Sequence, residues 1–327
     1  CALFAALLAV TLASLGFHYW SLVLSEVLGV AVATIVTIVR APRRFAIPRL
    51  ATIETAITFS RQILVGRISW FVYSNADFLV AGRVLGQAAL GAYDFAWTLT
   101  NIPVEKLTSL VSNVAPTVFA SVQNDDKALE RSVLSVTEGI AFIAFPVSIG
   151  LALVSGDLIY GVFGAKWANA IMPLRLLGIY TALRSVMPIV PTALAVRGKT
   201  RFLMYNGFVS AIIFPLAFFW ASRFGTTGIA GVWVVLYPIS CLSLLYMLCR
   251  VVTTWKAYWG ALRNAAISTA LMAICVFAAG RLVASIDSAL ARLAIQVAVG
   301  AAVYAGTVLT LFADRVSAFR RTLKNAF

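Results

Sequence analysis

The chain has 327 residues, of which 61% are hydrophobic and only 12% are charged. Its mean hydropathy is +0.94. In a typical soluble domain about a quarter of the residues are charged, so the charged fraction of this chain is low. The 26 Lys and Arg outnumber the 12 Asp and Glu, giving a formal net charge of +14. This composition excludes a cytosolic enzyme, a disordered tail, a disulfide-stapled secreted domain and a soluble nucleic-acid-binding fold. It predicts a polytopic helical membrane protein with a basic bias.

About ten stretches are apolar enough to be membrane helices, since a helix needs about 20 mostly apolar residues to cross the hydrocarbon. The first, residues 2–15, is uncharged and follows Cys1 rather than Met, so we expect the chain to begin inside a longer protein. The runs are continuous rather than alternating, which favours an all-α integral membrane fold over a barrel. The other predicted spans are residues 17–39, 56–82, 90–121, 132–155, 171–195, 202–222, 224–249, 264–280 and 293–313.

Basic residues cluster in alternate loops between these spans. The five loops that follow the second, fourth, sixth, eighth and tenth spans hold 16 of the 26 Lys and Arg residues. Under the positive-inside rule, this pattern places the first residue, those loops and the C-terminus in the cytoplasm. Most of the positive charge therefore indicates topology and not a nucleic-acid partner.

Two connecting segments have an unusual composition. Residues 40–49 (RAPRRFAIPR) contain four arginines and two prolines, which favour a surface linker between two helix bundles. Residues 156–170 (GDLIYGVFGAKWANA) contain three glycines, and we expect a short interfacial element there, with Tyr160 and Trp167 at headgroup level. The cysteines lack metal-ligand spacing, so we expect no metal ion and no cofactor.

Several ionisable and amide side chains fall within the predicted spans. A charge at bilayer depth costs about 2.5–3.5 kcal/mol on insertion scales, so such a residue faces a cavity or a partner. Spacing of three and four residues places Arg67, Trp70, Ser74 and Asp77 on one face of the third span, and the fourth span has a similar polar pattern. The candidate cavity residues are Arg61, Arg67, Asp77, Asn101, Glu105, Lys106 and Arg184.

These residues admit two interpretations. A polar surface rich in Arg and Lys suits an anionic solute or headgroup, because a guanidinium binds phosphate oxygens through two parallel hydrogen bonds. The same groups also suit a structural role, for example an ion pair between Arg67 and Glu105 that holds the helices together.

A motif at residues 75–93 (NADFLVAGRVLGQAALGAY) adds a family resemblance. It resembles the start of the second lobe in polysaccharide repeat-unit flippases, which belong to the multidrug/oligosaccharidyl-lipid/polysaccharide exporter superfamily. The similarity covers roughly residues 50–250 and includes 101–103 (NIP), 115–116 (AP), 119–125 (FASVQND) and 163–167 (FGAKW).

The resemblance implies two six-helix bundles around a central cavity, often followed by two more helices. On this pattern, residues 1–39 are the last two helices of a first lobe that is only partly present, and 40–52 are a cytoplasmic inter-lobe linker. Residues 53–250 form the complete second lobe, and 251–327 form two additional helices with a basic cytoplasmic tail. About four N-terminal helices of the family pattern are absent from the chain.

The implied function is that of a multi-pass flippase in the bacterial inner membrane. It would move an undecaprenyl-diphosphate-linked oligosaccharide by alternating access, for exopolysaccharide, O-antigen or capsule assembly. The expected partners are this lipid-linked oligosaccharide, membrane lipids and other polysaccharide assembly proteins. Two alternatives stay open: a drug or cation antiporter of the same superfamily, and a polytopic membrane glycosyltransferase or ligase. The sequence carries no recognisable catalytic motif, which favours a transporter over an enzyme.

Roles for the candidate residues follow from their chemistry. Arg67, Lys106 and Arg184 are expected to contact phosphate or an acidic sugar. Asp77, Asn101 and Glu105 are expected to bind sugar hydroxyls or to couple protonation to alternating access.

Overall fold

The computed structural model describes residues 2–40 and 50–311, and this part of the chain is helical without a β-strand. The predicted all-α class is confirmed. Residues 41–49 of the predicted linker and residues 312–327 of the predicted basic tail lie outside the described residues. The helices are α1 (Ala2–Ser14), α2 (Tyr19–Arg40), α3 (Leu50–Val80), α4 (Gln87–Ser121), α5 (Asp126–Leu158), α6 (Ile171–Val186), α7 (Ile189–Val196), α8 (Thr200–Ala221), α9 (Gly225–Val251), α10 (Trp255–Leu282) and α11 (Ala289–Leu311).

Six continuous helical segments in the described residues are long and apolar enough to cross a membrane. Two of them each hold two helices: one contains α6 with α7 and the other contains α8 with α9. Helices α3 and α4 are not in this set, because their polar and charged side chains lower the hydropathy of an otherwise apolar helix. The segments are Tyr19–Arg40, Asp126–Phe163, Ala165–Val196, Thr200–Val251, Trp255–Leu282 and Ala289–Thr310.

The chain divides into two compact units, Cys1–Ile57 and Thr58–Phe327. Within the first unit, α1 packs against α2. The turn between them needs a left-handed backbone at Gly16, where φ is +83°, and this conformation is accessible to glycine without steric cost.

In the second unit, α5 and α6 pack closely against each other, and α6 also contacts α4 and α9. A β-carbon at Gly178 of α6 would lie 2.9 Å from the Ala152 Cβ and 2.9 Å from the Ser148 carbonyl oxygen of α5. Small residues allow membrane helices to approach until their backbones nearly touch, which increases their van der Waals contact. Gly178 therefore lies where these two helices approach closely.

Helices α10 and α11 pack against each other and against α5. At one end of this group, the Asp157 carboxylate of α5 accepts hydrogen bonds from Arg292 Nε at 2.7 Å and Gln296 Nε2 at 2.8 Å. Both donors belong to the first two turns of α11. This half-buried ion pair fixes the start of α11 against the end of α5.

Within residues 156–170, the end of α5 is followed by a π-helical turn at Ile159–Phe163 and a 3-10 turn at Ala165–Ala170. Tyr160 is exposed, whereas the Trp167 ring stacks on Phe95 of α4 with centroids 4.2 Å apart. The segment is thus held to α4 through an aromatic contact that its sequence did not reveal.

Several helix boundaries differ from those predicted; α3 and α5, for example, each begin six residues before the predicted start, at Leu50 and Asp126. The span predicted at 171–195 is broken into α6 and α7 at Pro188, which lacks the N–H needed to continue the helical hydrogen bonds. Helix α10 begins at Trp255, nine residues before the predicted start at 264. The prediction was wrong there because it required an uncharged run, whereas Lys256 and Arg263 lie on the exposed side of the helix.

Candidate functional site

Helices α3, α4, α6 and α9 enclose a cluster of aromatic and polar side chains within the second unit. The cluster combines an arginine, an aspartate and an asparagine with large aromatic rings, an unusual set for the interior of an apolar helix bundle. Its members are Tyr73, Asp77, Tyr93, Trp97, Asn101, Tyr180, Arg184, Trp233 and Tyr237.

One face of α4 supplies a row of these side chains. Tyr93, Trp97, Asn101 and Glu105 follow each other at intervals of four residues, so 3.6 residues per turn place them on one side of the helix. Tyr93 is fully buried and Asn101 is 4% exposed, whereas Glu105 is exposed. The row therefore runs from the closed interior of the bundle to its surface.

Arg184 of α6 is placed against this row by three interactions. Its guanidinium donates a hydrogen bond to Asn101 Oδ1, and its central carbon lies 5.5 Å from the centroid of the Trp97 ring. The Glu105 carboxylate also attracts it electrostatically. Asn101 Nδ2 donates to the Trp97 carbonyl at 2.9 Å, which orients the amide so that its oxygen is available to Arg184.

The position of Arg184 along its span makes this arrangement notable. It lies thirteen residues after Ile171, where α6 begins, and thirteen before Arg197, which follows α7. At 1.5 Å per residue, the distance from the start of α6 is about 20 Å, so the charge lies near the middle of the span. A guanidinium has five N–H donors, and the described residues supply one acceptor, the Asn101 amide oxygen. The other guanidinium N–H groups have no hydrogen-bond acceptor among the described residues.

Asp77 of α3 has a different environment, because its carboxylate is already occupied. Its Oδ2 atom accepts from the Tyr93 hydroxyl at 2.7 Å and from Trp233 Nε1 at 3.0 Å, and its Oδ1 atom accepts from the Phe78 amide at 2.9 Å. The Asp77 side chain is completely buried. This network connects α3, α4 and α9 and leaves little of the carboxylate for a further ligand.

Aromatic rings separate Asp77 from Arg184. Tyr180 stacks on Trp233 with centroids 4.9 Å apart, and Trp97 lies 6.0 Å from Tyr180 and 5.8 Å from Trp233. Among the described residues no ion pair joins Asp77 to Arg184. The cluster thus has a closed, hydrogen-bonded end at Asp77 and a more open, cationic end at Arg184.

The structure brings together three of the candidates named from the sequence, Asn101, Glu105 and Arg184. Asp77 lies beyond the aromatic rings, and the other three candidates lie outside the cluster. The exposed candidates are Arg61 and Arg67 on α3 and Lys106 on α4. Along the predicted polar face of α3, Arg67 and Trp70 are exposed whereas Asp77 is fully buried.

Sequence reasoning missed the aromatic members Trp97, Tyr180 and Trp233. The four-residue spacing of Tyr93, Trp97 and Asn101 is a signal that would have placed Trp97 beside Asn101. Trp233 has no such signal, since it lies in a continuous apolar run and meets Asp77 across 156 residues of sequence.

Comparison with known proteins identifies the family. Residues 1–172, more than half of the chain, match the profile of a family described as polysaccharide biosynthesis protein. The chain belongs to this family. The family resemblance seen in the sequence motifs is thereby confirmed.

Two relatives and one solved structure extend this family assignment. The teichuronic acid biosynthesis protein TuaB of Bacillus subtilis is 30% identical over 234 residues, covering 71% of this chain and 48% of TuaB. The succinoglycan biosynthesis transport protein ExoT of Rhizobium meliloti is 25% identical over 337 residues, covering 98% of this chain and 65% of ExoT. The chain therefore spans about half to two-thirds of these relatives.

The solved structure is the lipid II flippase MurJ in an inward closed conformation. It superimposes with a TM-score of 0.65 over 96% of this chain and 67% of MurJ, at 16% sequence identity. At this identity the similarity shows that this chain and MurJ share an all-helical membrane fold.

Proposed function

We propose that this protein transports a lipid-linked oligosaccharide across the bacterial inner membrane for the assembly of a surface polysaccharide. Membership of the polysaccharide biosynthesis family supports a role in surface polysaccharide assembly. The relative ExoT is named as a transport protein, which supports transport. The proposal includes a cytoplasmic C-terminus, supported by the distribution of basic loops, and transport without a chemical change to the oligosaccharide. Other polysaccharide assembly proteins would supply the substrate and use the product.

The observation that carries the proposal is the position of Arg184 near the middle of its span. A polyprenyl diphosphate carries negative charge that must pass the hydrocarbon, and a guanidinium in a low-dielectric site binds phosphate oxygens strongly and with defined geometry. Asn101 fixes one edge of the guanidinium and Trp97 covers a face of it, so the free N–H groups are held ready for a phosphate. Arg184 is proposed as the principal phosphate contact.

The neighbouring groups suit the oligosaccharide part of the same ligand. Glu105 lies four residues along the α4 face from Asn101, at the exposed end of the row, and is proposed to border the sugar position. We assign Asn101 a shared role, since its amide binds Arg184 and borders the sugar position. The exposed bases Arg61, Arg67 and Lys106 are proposed to attract the anionic headgroup before it reaches Arg184.

Asp77 is proposed to act by positioning aromatic side chains. Its carboxylate holds the Tyr93 hydroxyl and the Trp233 indole, and those rings support Trp97 and Tyr180 beside the guanidinium. A role of Asp77 in coupling protonation to transport would require its negative charge, whereas a positioning role requires a hydrogen-bond acceptor. The two roles are separated by the Asp77→Asn substitution.

A deletion strain complemented with Arg184→Gln tests the proposed function. We expect lipid-linked repeat units to accumulate on the cytoplasmic leaflet and polymer export to fall at least about tenfold, because one charge-assisted contact contributes about 1.5–3 kcal/mol. Arg175→Gln is the matched control, since it removes the same charge from the exposed side of the same helix. Normal export by Arg184→Gln, at equal membrane levels of the two variants, would refute the proposed role.

A further inference from the structure

A cavity of about 570 Å³ lies between α5, α6, α9 and α10. None of the residues of the Arg184 cluster lines it. Its walls are mainly apolar, with Phe145, Leu183 and Leu245 contributed by three different helices. Its charged lining residues are Lys256 and Arg263 of α10.

One face of α10 borders this cavity. Lys256, Trp259, Gly260, Arg263 and Ala266 repeat at intervals of three and four residues, line the cavity and are all exposed. Lys256 and Arg263 are seven residues apart, so they are separated by about 10 Å along the helix axis. Neither has an ion-pair partner among the described residues, and the lining contains no acidic residue. The cavity therefore presents two uncompensated positive charges beside an apolar wall.

The aromatic residues on α10 indicate the depth of the cavity. Trp255 and Trp259 are 39% and 56% exposed, and tryptophan is enriched at the boundary between headgroups and hydrocarbon. Lys256 and Arg263 are thus at the level of lipid phosphates, while the apolar wall continues from them. This combination matches the shape and polarity of a phospholipid.

We propose that this cavity is a binding site for an anionic glycerophospholipid such as phosphatidylglycerol. The phosphate lies between Lys256 and Arg263, and one acyl chain follows the apolar wall. A lipid-linked oligosaccharide fits less well, because no carboxylate or amide side chain among the lining residues would bind sugar hydroxyls. The site is independent of the transport function proposed above.

The test measures phosphatidylglycerol binding to the purified full chain in detergent by native mass spectrometry. Phosphatidylglycerol should bind to the wild type more tightly than phosphatidylcholine, and Lys256→Gln/Arg263→Gln should weaken it about tenfold or more. The matched control is Lys127→Gln/Arg131→Gln, which removes one lysine and one arginine from the exposed side of α5 and should bind as the wild type does. Equal binding by the two double variants would overturn the proposal.

A further variant separates filling of the cavity from the charge of its rim. Ala266→Trp should block the cavity while both bases remain, and it should weaken phosphatidylglycerol binding. Undiminished binding by Ala266→Trp, or preferential binding of undecaprenyl phosphate over phosphatidylglycerol, would overturn the assignment.

Discussion

Substitution of Asp77 by leucine tests the network that holds α3 against α4 and α9. The substitution removes the acceptor of the Tyr93 hydroxyl, at 2.7 Å, and of Trp233 Nε1, at 3.0 Å. In this variant Trp233 Nε1 can still donate to the Tyr93 hydroxyl oxygen, 3.1 Å away. The Tyr93 hydroxyl proton, however, is left buried without an acceptor. An orphaned buried donor costs about 1–3 kcal/mol, and the exchange of a charged for a neutral acceptor costs about 1 kcal/mol more.

We therefore expect Asp77→Leu to lower the free energy of unfolding by about 2–4 kcal/mol, as measured by denaturant titration of the purified protein in a mild detergent. Asp77→Asn keeps an oxygen acceptor and should lose less than half of this amount. Asp94→Asn is the control, since Asp94 is exposed and should leave the free energy of unfolding unchanged.

A double-mutant cycle with Tyr93→Phe completes the test. Because Asp77 and Tyr93 share one hydrogen bond, the effects of Asp77→Leu and Tyr93→Phe should differ from additivity by at least about 1 kcal/mol. Additive effects, or wild-type stability of Asp77→Leu, would refute the network. If Asp77→Asn is stable but inactive in export, its charge rather than its acceptor is required, and the positioning role is wrong.

Two further predictions concern helix packing. Gly178→Ala brings a β-carbon to 2.9 Å from the Ala152 Cβ and should lower the free energy of unfolding by about 1–3 kcal/mol. The control Gly231→Ala has open space around it and should be neutral or stabilising. A larger loss of stability in Gly231→Ala than in Gly178→Ala would contradict the close crossing of α5 and α6. Asp157→Asn weakens the ion pair that holds α11 to α5 and should accelerate protease cleavage between α10 and α11. Asp287→Asn, at an exposed position in that loop, should be cleaved as the wild type is, and equal rates in both variants would argue against the ion pair as a clamp.

The helices were largely predictable because hydrocarbon demands long apolar runs. Residues 202–222 were predicted as a span, and α8 is Thr200–Ala221. The start of α10 was missed because helices extend past the uncharged core into the headgroup layer, where lysine and arginine are stable. The orientation of the chain and the division into lobes are still predictions from charge and family resemblance.

The sequence predicted some members of the candidate site, but it did not predict the contacts between them. Asn101 and Arg184 stood out in the sequence because polar groups inside a membrane span are energetically costly. Their hydrogen bond was not predictable, since the two residues are 83 positions apart in sequence and meet only because α4 packs on α6. The burial of Asp77 was not predictable for the same reason, since Trp233 reaches it from α9. Local periodicity assigns residues to a face of a helix, whereas tertiary packing decides which faces meet.

The central claim is that Arg184 binds the phosphate of a lipid-linked oligosaccharide during its passage across the membrane. The most direct test is the initial rate of translocation of a defined lipid-linked repeat unit in vesicles reconstituted with the protein, read from its accessibility on each leaflet. The claim predicts that Arg184→Gln lowers this rate at least about tenfold while Arg175→Gln, on the exposed side of α6, translocates at the wild-type rate. Equal rates for the two variants would contradict it.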